Sequence, residues 1–228
     1  MQYKLPKDFG ISLYSSEVGD GPMNLSDNKY LKKFYAKIAL PTPLSQAQQV
    51  HGNNISKAIS GEVQKDADGL FAFDSTPLSV RSADCAPVFL FDKETGFFCA
   101  IHCGRKSVLL GIISVTLKNL LSKNSIDHES IKVFIGPHIR VNSYPILKKD
   151  VESILKSSHA QYIKDCGEER CFDLTGAIYG ELENIGIKEN NIIDCKINTF
   201  TDERFYSYRR SGGGVPMVFV TVGVKNGT

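Results

Sequence analysis

The sequence predicts a layered, mixed fold, α/β or α+β, and three observations carry that reading. Short continuous apolar runs recur, PVFLF at 87–91, FFCAI at 97–101, KVFI at 132–135 and MVFVTVGV at 217–224, and these read as buried strands. Other stretches place apolar residues at helical spacing. The two kinds alternate irregularly, unlike a doubly wound parallel sheet.

In chain order, Asp27 to Lys37 reads as a helix, with Leu31, Phe34, Tyr35 and Ile38 on one face. Gln46–His51 reads as a short strand ending in His-Gly. Leu78–Ser82 and Pro87–Phe91 read as strands around a turn at Ala83-Asp84-Cys85, and Phe97–Ile101 as the next strand. Lys106 to Leu121 has the strongest helical stripe, through Leu109, Ile112, Ile113, Thr116, Leu117 and Leu120. Lys132–Ile135 is a strand stopped by Gly136-Pro137. Helices are expected over Asp150–Ser157 and Asp173–Asn184, the latter stopped by Gly186. Phe205–Tyr208 and Met217–Val224 read as late strands. Loop signals sit at 17–22, Pro41–Pro43, 51–54 and 211–214, and nothing resembles a repeat or a linker. One domain over residues 1–228 is expected.

Composition narrows the function. The 228 residues are 42% hydrophobic with a net charge of +2, which argues against disorder and against a nucleic-acid footprint. No apolar run is long enough to span a bilayer, and the first residues lack a signal-peptide core. The expectation is a cytoplasmic protein with no membrane partner, monomeric or homodimeric. The six cysteines contain no CxxC pair, so zinc fingers and thioredoxin-like motifs are not expected.

The polar residues at element ends are the candidates for chemistry. His51 ends QVHG, Cys85 sits in SADCAP, and His102 ends CAIH. Two imidazoles and a thiolate suit a three-ligand zinc site with an open fourth position. The residue spacing does not force them together, and each also reads as an ordinary polar residue at a strand end. If the strand runs through both His102 and Cys103, the two side chains face opposite ways. Cys99 reads as core. His128 and His159 read as surface residues, and His138 is a lesser pocket candidate. Asp66, Asp68, Asp84 and Asp92 are candidate acids, bases or partners of histidines, Asp92 reading better as a turn cap. Gly104-Arg105-Lys106-Ser107 leads from a strand into the strongest helix, where an anion could dock on free N–H groups. Arg209 in FYSYRR is a further anion contact.

These motifs occur together in a known pattern. QVHG at 49–52, ADG at 67–69, SADCAPV at 82–88, AIHCG at 100–104, GPHI at 136–139, FDL at 172–174 and FYSYRR at 205–210 follow the order of the YfiH-like family, and the chain resembles it over nearly its whole length. That family is also called the laccase-domain or multicopper polyphenol oxidase family, and some members are called peptidoglycan-editing factors. The resemblance implies a layered α/β/β/α fold shared with certain toxin cysteine hydrolases. It implies a zinc-type site on His51, Cys85 and His102, with copper as the alternative metal. It implies purine nucleoside phosphorolysis and adenosine deamination, with nucleoside and phosphate as partners. Gln49, Arg105, Lys106 and Arg209 then become the substrate and phosphate contacts, and Cys85, Asp84 and Lys106 the catalytic set. Five histidines are few for a multicopper oxidase.

The chain also departs from the family. The usual His-Ala-Gly-Trp-Arg-Gly reads His102-Cys103-Gly104-Arg105-Lys106-Ser107. The usual Thr-Arg-x-Gly-Gly is absent, the usual Gly-Arg after SYRR is Gly214-Val215, and the usual Tyr-Glu is Tyr144-Pro145. Two other readings stand beside the nucleoside enzyme: a cysteine hydrolase with Cys85 as nucleophile and His102 or His51 as base, and a metal-binding relative without turnover.

Overall fold

The structure is a computed structural model that describes residues 1–6, 9–24, 28–40, 43–213 and 217–226. Its strands are β1 (Ile11–Ser15), β2 (Ser45–Ala47), β3 (Ile55–Lys57), β4 (Val63–Gln64), β5 (Gly69–Ala72), β6 (Leu78–Ser82), β7 (Ala86–Phe91), β8 (Phe98–Cys103), β9 (Lys132–Ile135), β10 (Ile163–Cys166), β11 (Glu169–Phe172), β12 (Ile192–Asp194) and β13 (Phe219–Lys225). Its α-helices are α1 (Asn28–Lys37), α2 (Arg105–Leu109), α3 (Lys118–Lys123), α4 (Lys148–Leu155) and α5 (Leu174–Asn184).

Two sheets stack. One runs β1-β13-β6-β2-β4 and the other β12-β9-β7-β8-β5-β3, with β10-β11 a separate hairpin. Strand alternation sorts the side chains into layers. On β7, Phe89 and Phe91 point between the sheets, where they join Leu13, Val80, Phe98 and Phe134. Val88 and Leu90 point the other way, into a larger core with Ile112, Leu117, Ile178 and Leu182 from the helical segments. On the far side, Leu31 and Phe34 of α1 pack on Val220 and Val222 of β13. The order of layers is therefore α/β/β/α.

The expected helix over 106–121 is three pieces. Gly111 takes a left-handed φ of 79° and ends the first turn beyond α2. Gly111 O then accepts from both Val115 N and Thr116 N, and a π-helical segment, Ile112–Leu117, leads into α3. The strand expected to reach His51 stops at Ala47, because Gln49 (φ 63°) and His51 (φ 59°) leave extended geometry. Phe205–Tyr208 forms turns rather than a strand; Phe205 is buried against Phe219, ring centroids 5.0 Å apart. The α5 start is as the sequence reads: Asp173 caps it by accepting from Gly176 N at 2.9 Å. The expected start of α1 at Asp27, and Gly214-Val215, lie outside the described residues. Strands β1, β3, β4, β5, β10, β11 and β12 have no sequence expectation behind them; most are short or lack a continuous apolar run. No described helix is long and apolar enough to cross a membrane.

Candidate active site

The site forms where β6 hands over to β7, beside the end of β8. Alternation on β8 sends Cys103 into the helix-side core and His102 to the opposite face, both buried. His102 emerges where the space between the sheets opens into a cleft of about 620 Å³. Asp84, with a left-handed φ of 94°, makes the corner that delivers Cys85 to the same cleft. Its carboxylate holds that corner: Oδ1 accepts from Thr199 Oγ1 at 2.7 Å and Oδ2 from Arg209 N at 2.7 Å.

His51 arrives on a loop tied to one buried carboxylate. Asp68 accepts from the backbone N–H of Val50, His51 and Gly52 at 3.1, 2.9 and 2.7 Å. Its Oδ1 also accepts from His102 Nδ1 at 2.9 Å. One side chain thus orients one histidine directly and places the other through its loop. The His51 and His102 rings meet edge to face, centroids 4.8 Å apart, and Cys85 Sγ lies 3.8 Å from His51 Nε2. Ligand atoms of His51, Cys85 and His102 all fall within 4.8 Å of one another.

The electrostatics favour a thiolate. Burial raises the Cys85 pKa, but the adjoining His102 and His51 outweigh it and bring the thiol down to about 6. Burial opposes charge on His102, but the Cys85 thiolate and the Asp68 carboxylate raise it to about 9. A Cβ on Gly104 would lie 3.0 Å from Cys85 Sγ and 3.1 Å from His51 Cδ2, so the absence of a side chain there keeps the group open.

The other candidates divide. Arg105, Lys106 and Arg209 line the cleft. Arg105 pairs with Asp150 at 2.8 Å, and the Arg209 guanidinium lies 5.5 Å from the Tyr144 ring centroid. The helix behind Lys106 spans only Arg105–Leu109, so its macrodipole is small and any anion there depends on side-chain charge. Gln49 lines the cleft, but its amide is used by Arg81: Oε1 accepts from Arg81 N at 2.9 Å and Nε2 donates to Arg81 O at 2.7 Å. Arg210 turns inward to the carbonyls of Thr199, Phe200 and Phe205.

His138 does not reach the cleft; it is buried between Gly136 O and Thr175 Oγ1. His159 is not a surface residue: it is buried and bonded to Glu181 at 2.6 Å. Asp92 caps a turn through Thr95, and all six cysteines are free. The sequence reading missed Arg81 and Tyr208 as lining residues, and Tyr144 entered it only as a departure from a motif. Arg81 carries no motif signal and reads as the outward face of an alternating strand.

A family model for the multi-copper polyphenol oxidoreductase laccase matches residues 9–222. The chain belongs to this family. Among similar proteins, a purine nucleoside phosphorylase of Campylobacter jejuni is 30% identical over 164 residues, 71% of this chain and 69% of its own. The purine nucleoside phosphorylase YfiH of Shigella flexneri is 26% identical over 201 residues, 84% and 78% of the two chains. The fold is also that of YlmD from Geobacillus stearothermophilus, with a TM-score of 0.83 at 20% identity over 97% of this chain and 94% of that one. Bacillus licheniformis YfiH gives 0.82 at 20% identity over 94% and 93%. Despite the family's title, the only metal-suited group among the described residues is His51, Cys85 and His102.

Proposed function

We propose that this cleft cleaves purine nucleosides with phosphate, and that the same group deaminates adenosine. The observation that carries the reading is the meeting of His51, Cys85 and His102 with Arg105, Lys106 and Arg209 in one cleft large enough for a nucleoside and a phosphate. Relatives named purine nucleoside phosphorylases supply the substrate class.

The donor set fits zinc. It offers one sulfur and two nitrogens, the thiol is poised to ionise, and Asp68 occupies His102 Nδ1 so that Nε2 is left for a metal. Zinc bound there supplies Lewis acidity at an open fourth position. In phosphorolysis a phosphate oxygen bonds to ribose C1′ as the C1′–N9 bond breaks. The bond pair leaves with the base, which takes up a proton, and the products are ribose 1-phosphate and the free purine. Lys106 and Arg209 hold the phosphate, Lys106 as a point charge and Arg209 as a planar fork. Asp84, the only carboxylate among the lining residues, is the group for proton transfer. In deamination water adds at C6 and ammonia departs.

One observation favours a second reading. Without metal, Cys85 and His102 form a thiolate–imidazolium pair, the activated state of a cysteine hydrolase. Adenosine incubated with and without phosphate, with products identified by mass, separates the readings. Adenine with ribose 1-phosphate supports phosphorolysis and inosine supports deamination. Neither product, in protein purified without stoichiometric zinc, supports the hydrolase.

A further inference from the structure

We propose that Arg81 is an oxyanion anchor of the cleft, holding a phosphate group on the side that faces α1, away from the Arg105 and Arg209 wall. The inference rests on the nucleoside reading above for its ligand class and deepens it. That phosphate is one that Lys106 and Arg209 do not hold: a second inorganic phosphate or a phosphate carried by the nucleoside itself.

The placement follows from strand register. Arg81 pairs with Val220 of β13, and Val220 packs under α1, so Arg81 projects to the α1 face of its sheet. Leu78 and Val80, its alternating neighbours, point between the sheets. Arg81 lines the cleft there with Gln48, Gln49, Asn24 and Val218. Arg105 and Arg209 instead flank Tyr144 and also line a second, smaller pocket that Arg81 does not touch.

The chemistry of the side chain is the second support. Arg81 is only 9% exposed, yet among the described residues no carboxylate pairs with it. Its Nη2 donates to Ala47 O at 2.9 Å and Gln48 O at 3.0 Å, and its Nε reaches Gln49 Oε1 at 3.5 Å. Nη1 has no partner among the described residues. Burial pulls its pKa down to about 10, opposed only by the Tyr35 hydroxyl of α1, which burial itself keeps protonated. A fixed guanidinium with free donors and no counter-ion favours a bound oxyanion.

Titration calorimetry in phosphate-free buffer tests this with three probes: inorganic phosphate, inosine and inosine 5′-monophosphate. In Arg81→Met, binding of phosphate or of the monophosphate should weaken at least tenfold while inosine binding stays within twofold. Loss on inorganic phosphate identifies a second inorganic phosphate, and loss on the monophosphate alone identifies a nucleotide. Arg81→Lys keeps the charge without the fork. It should show a smaller loss on the same probe, which keeps the test open if Arg81→Met does not fold. Wild-type protein that binds neither phosphate probe overturns the inference. So does an unchanged affinity in both variants, or an equal fall in inosine binding. Purine release is followed in parallel. Arg81-dependent phosphate binding without turnover would remove the proposed activity and leave this anchor standing.

Discussion

Asp68 Oδ1 accepts a hydrogen bond from His102 Nδ1 at 2.9 Å, and neither residue is more than 3% exposed. The same carboxylate gathers three backbone N–H groups of the His51 loop. Burial raises the Asp68 pKa, but these bonds outweigh it and hold the carboxyl below its usual value. Asp68 is thus the strut between two residues that lie far apart in sequence.

Asp68→Asn should therefore act on the metal before it acts on anything else. The expected result is a zinc affinity about 10–100-fold weaker, measured by competition with a chromophoric chelator. An unchanged affinity would show that His102 holds its orientation without Asp68.

Cys85→Ala should abolish zinc retention, whereas Cys103→Ala should leave it intact. Cys103 lies in the helix-side core, so its replacement should cost stability alone, roughly 1 kcal/mol. Metal analysis alongside thermal melts checks both. Equal zinc loss in the two variants would contradict the alternation on β8.

Gly104→Ala separates the cradle from the fold. Gly104 has an ordinary φ of −83°, so alanine adds no backbone strain, but its Cβ would crowd Cys85 Sγ and His51. Zinc binding should weaken with little change in melting temperature. A zinc affinity equal to wild type would show that the group has slack there.

Lys106→Ala should raise the KM for phosphate at least tenfold and leave phosphate-independent deamination within about twofold. Lys106→Arg should tighten phosphate by restoring the fork. Parallel kinetics of the two reactions on each variant give the answer, and no response of phosphorolysis to either change would remove Lys106 from the phosphate site.

His138 gives a pH signature. Burial, and then the nearby Arg140 charge, push its pKa down from 6.5 to about 4. The unfolded chain therefore binds a proton that the folded chain refuses between those two values. Stability should fall as pH drops from about 6.5 to about 4. His138→Gln should flatten that part of the pH–stability curve in chemical denaturation; a curve parallel to wild type would show that other groups set it.

Where apolar runs stop at polar residues the strand ends were readable: β6, β7 and β9 fall within a residue of their sequence limits, whereas β8 continues two residues past Ile101, through His102 to Cys103. The opposite orientation of His102 and Cys103 follows from the period of two alone. The convergence of His51 with Cys85 and His102 was not readable from spacing, since it depends on the left-handed Gln49, His51 and Asp84 and on Asp68 capturing loop N–H groups. The break at Gly111 was hidden because the apolar stripe continues through it at helical spacing. Arg81 was hidden for a related reason. A polar residue in an alternating strand looks solvent-facing until α1 is seen to cover that face.

If purine leaves the nucleoside through phosphate at the Cys85 group, its release must track ribose 1-phosphate. Purine release from inosine, with ribose 1-phosphate quantified in the same samples, is compared for wild type and Cys85→Ala. The expected result is release matched one to one by ribose 1-phosphate, absent without phosphate and absent in Cys85→Ala. Release that ignores phosphate, or that survives in Cys85→Ala, would contradict it.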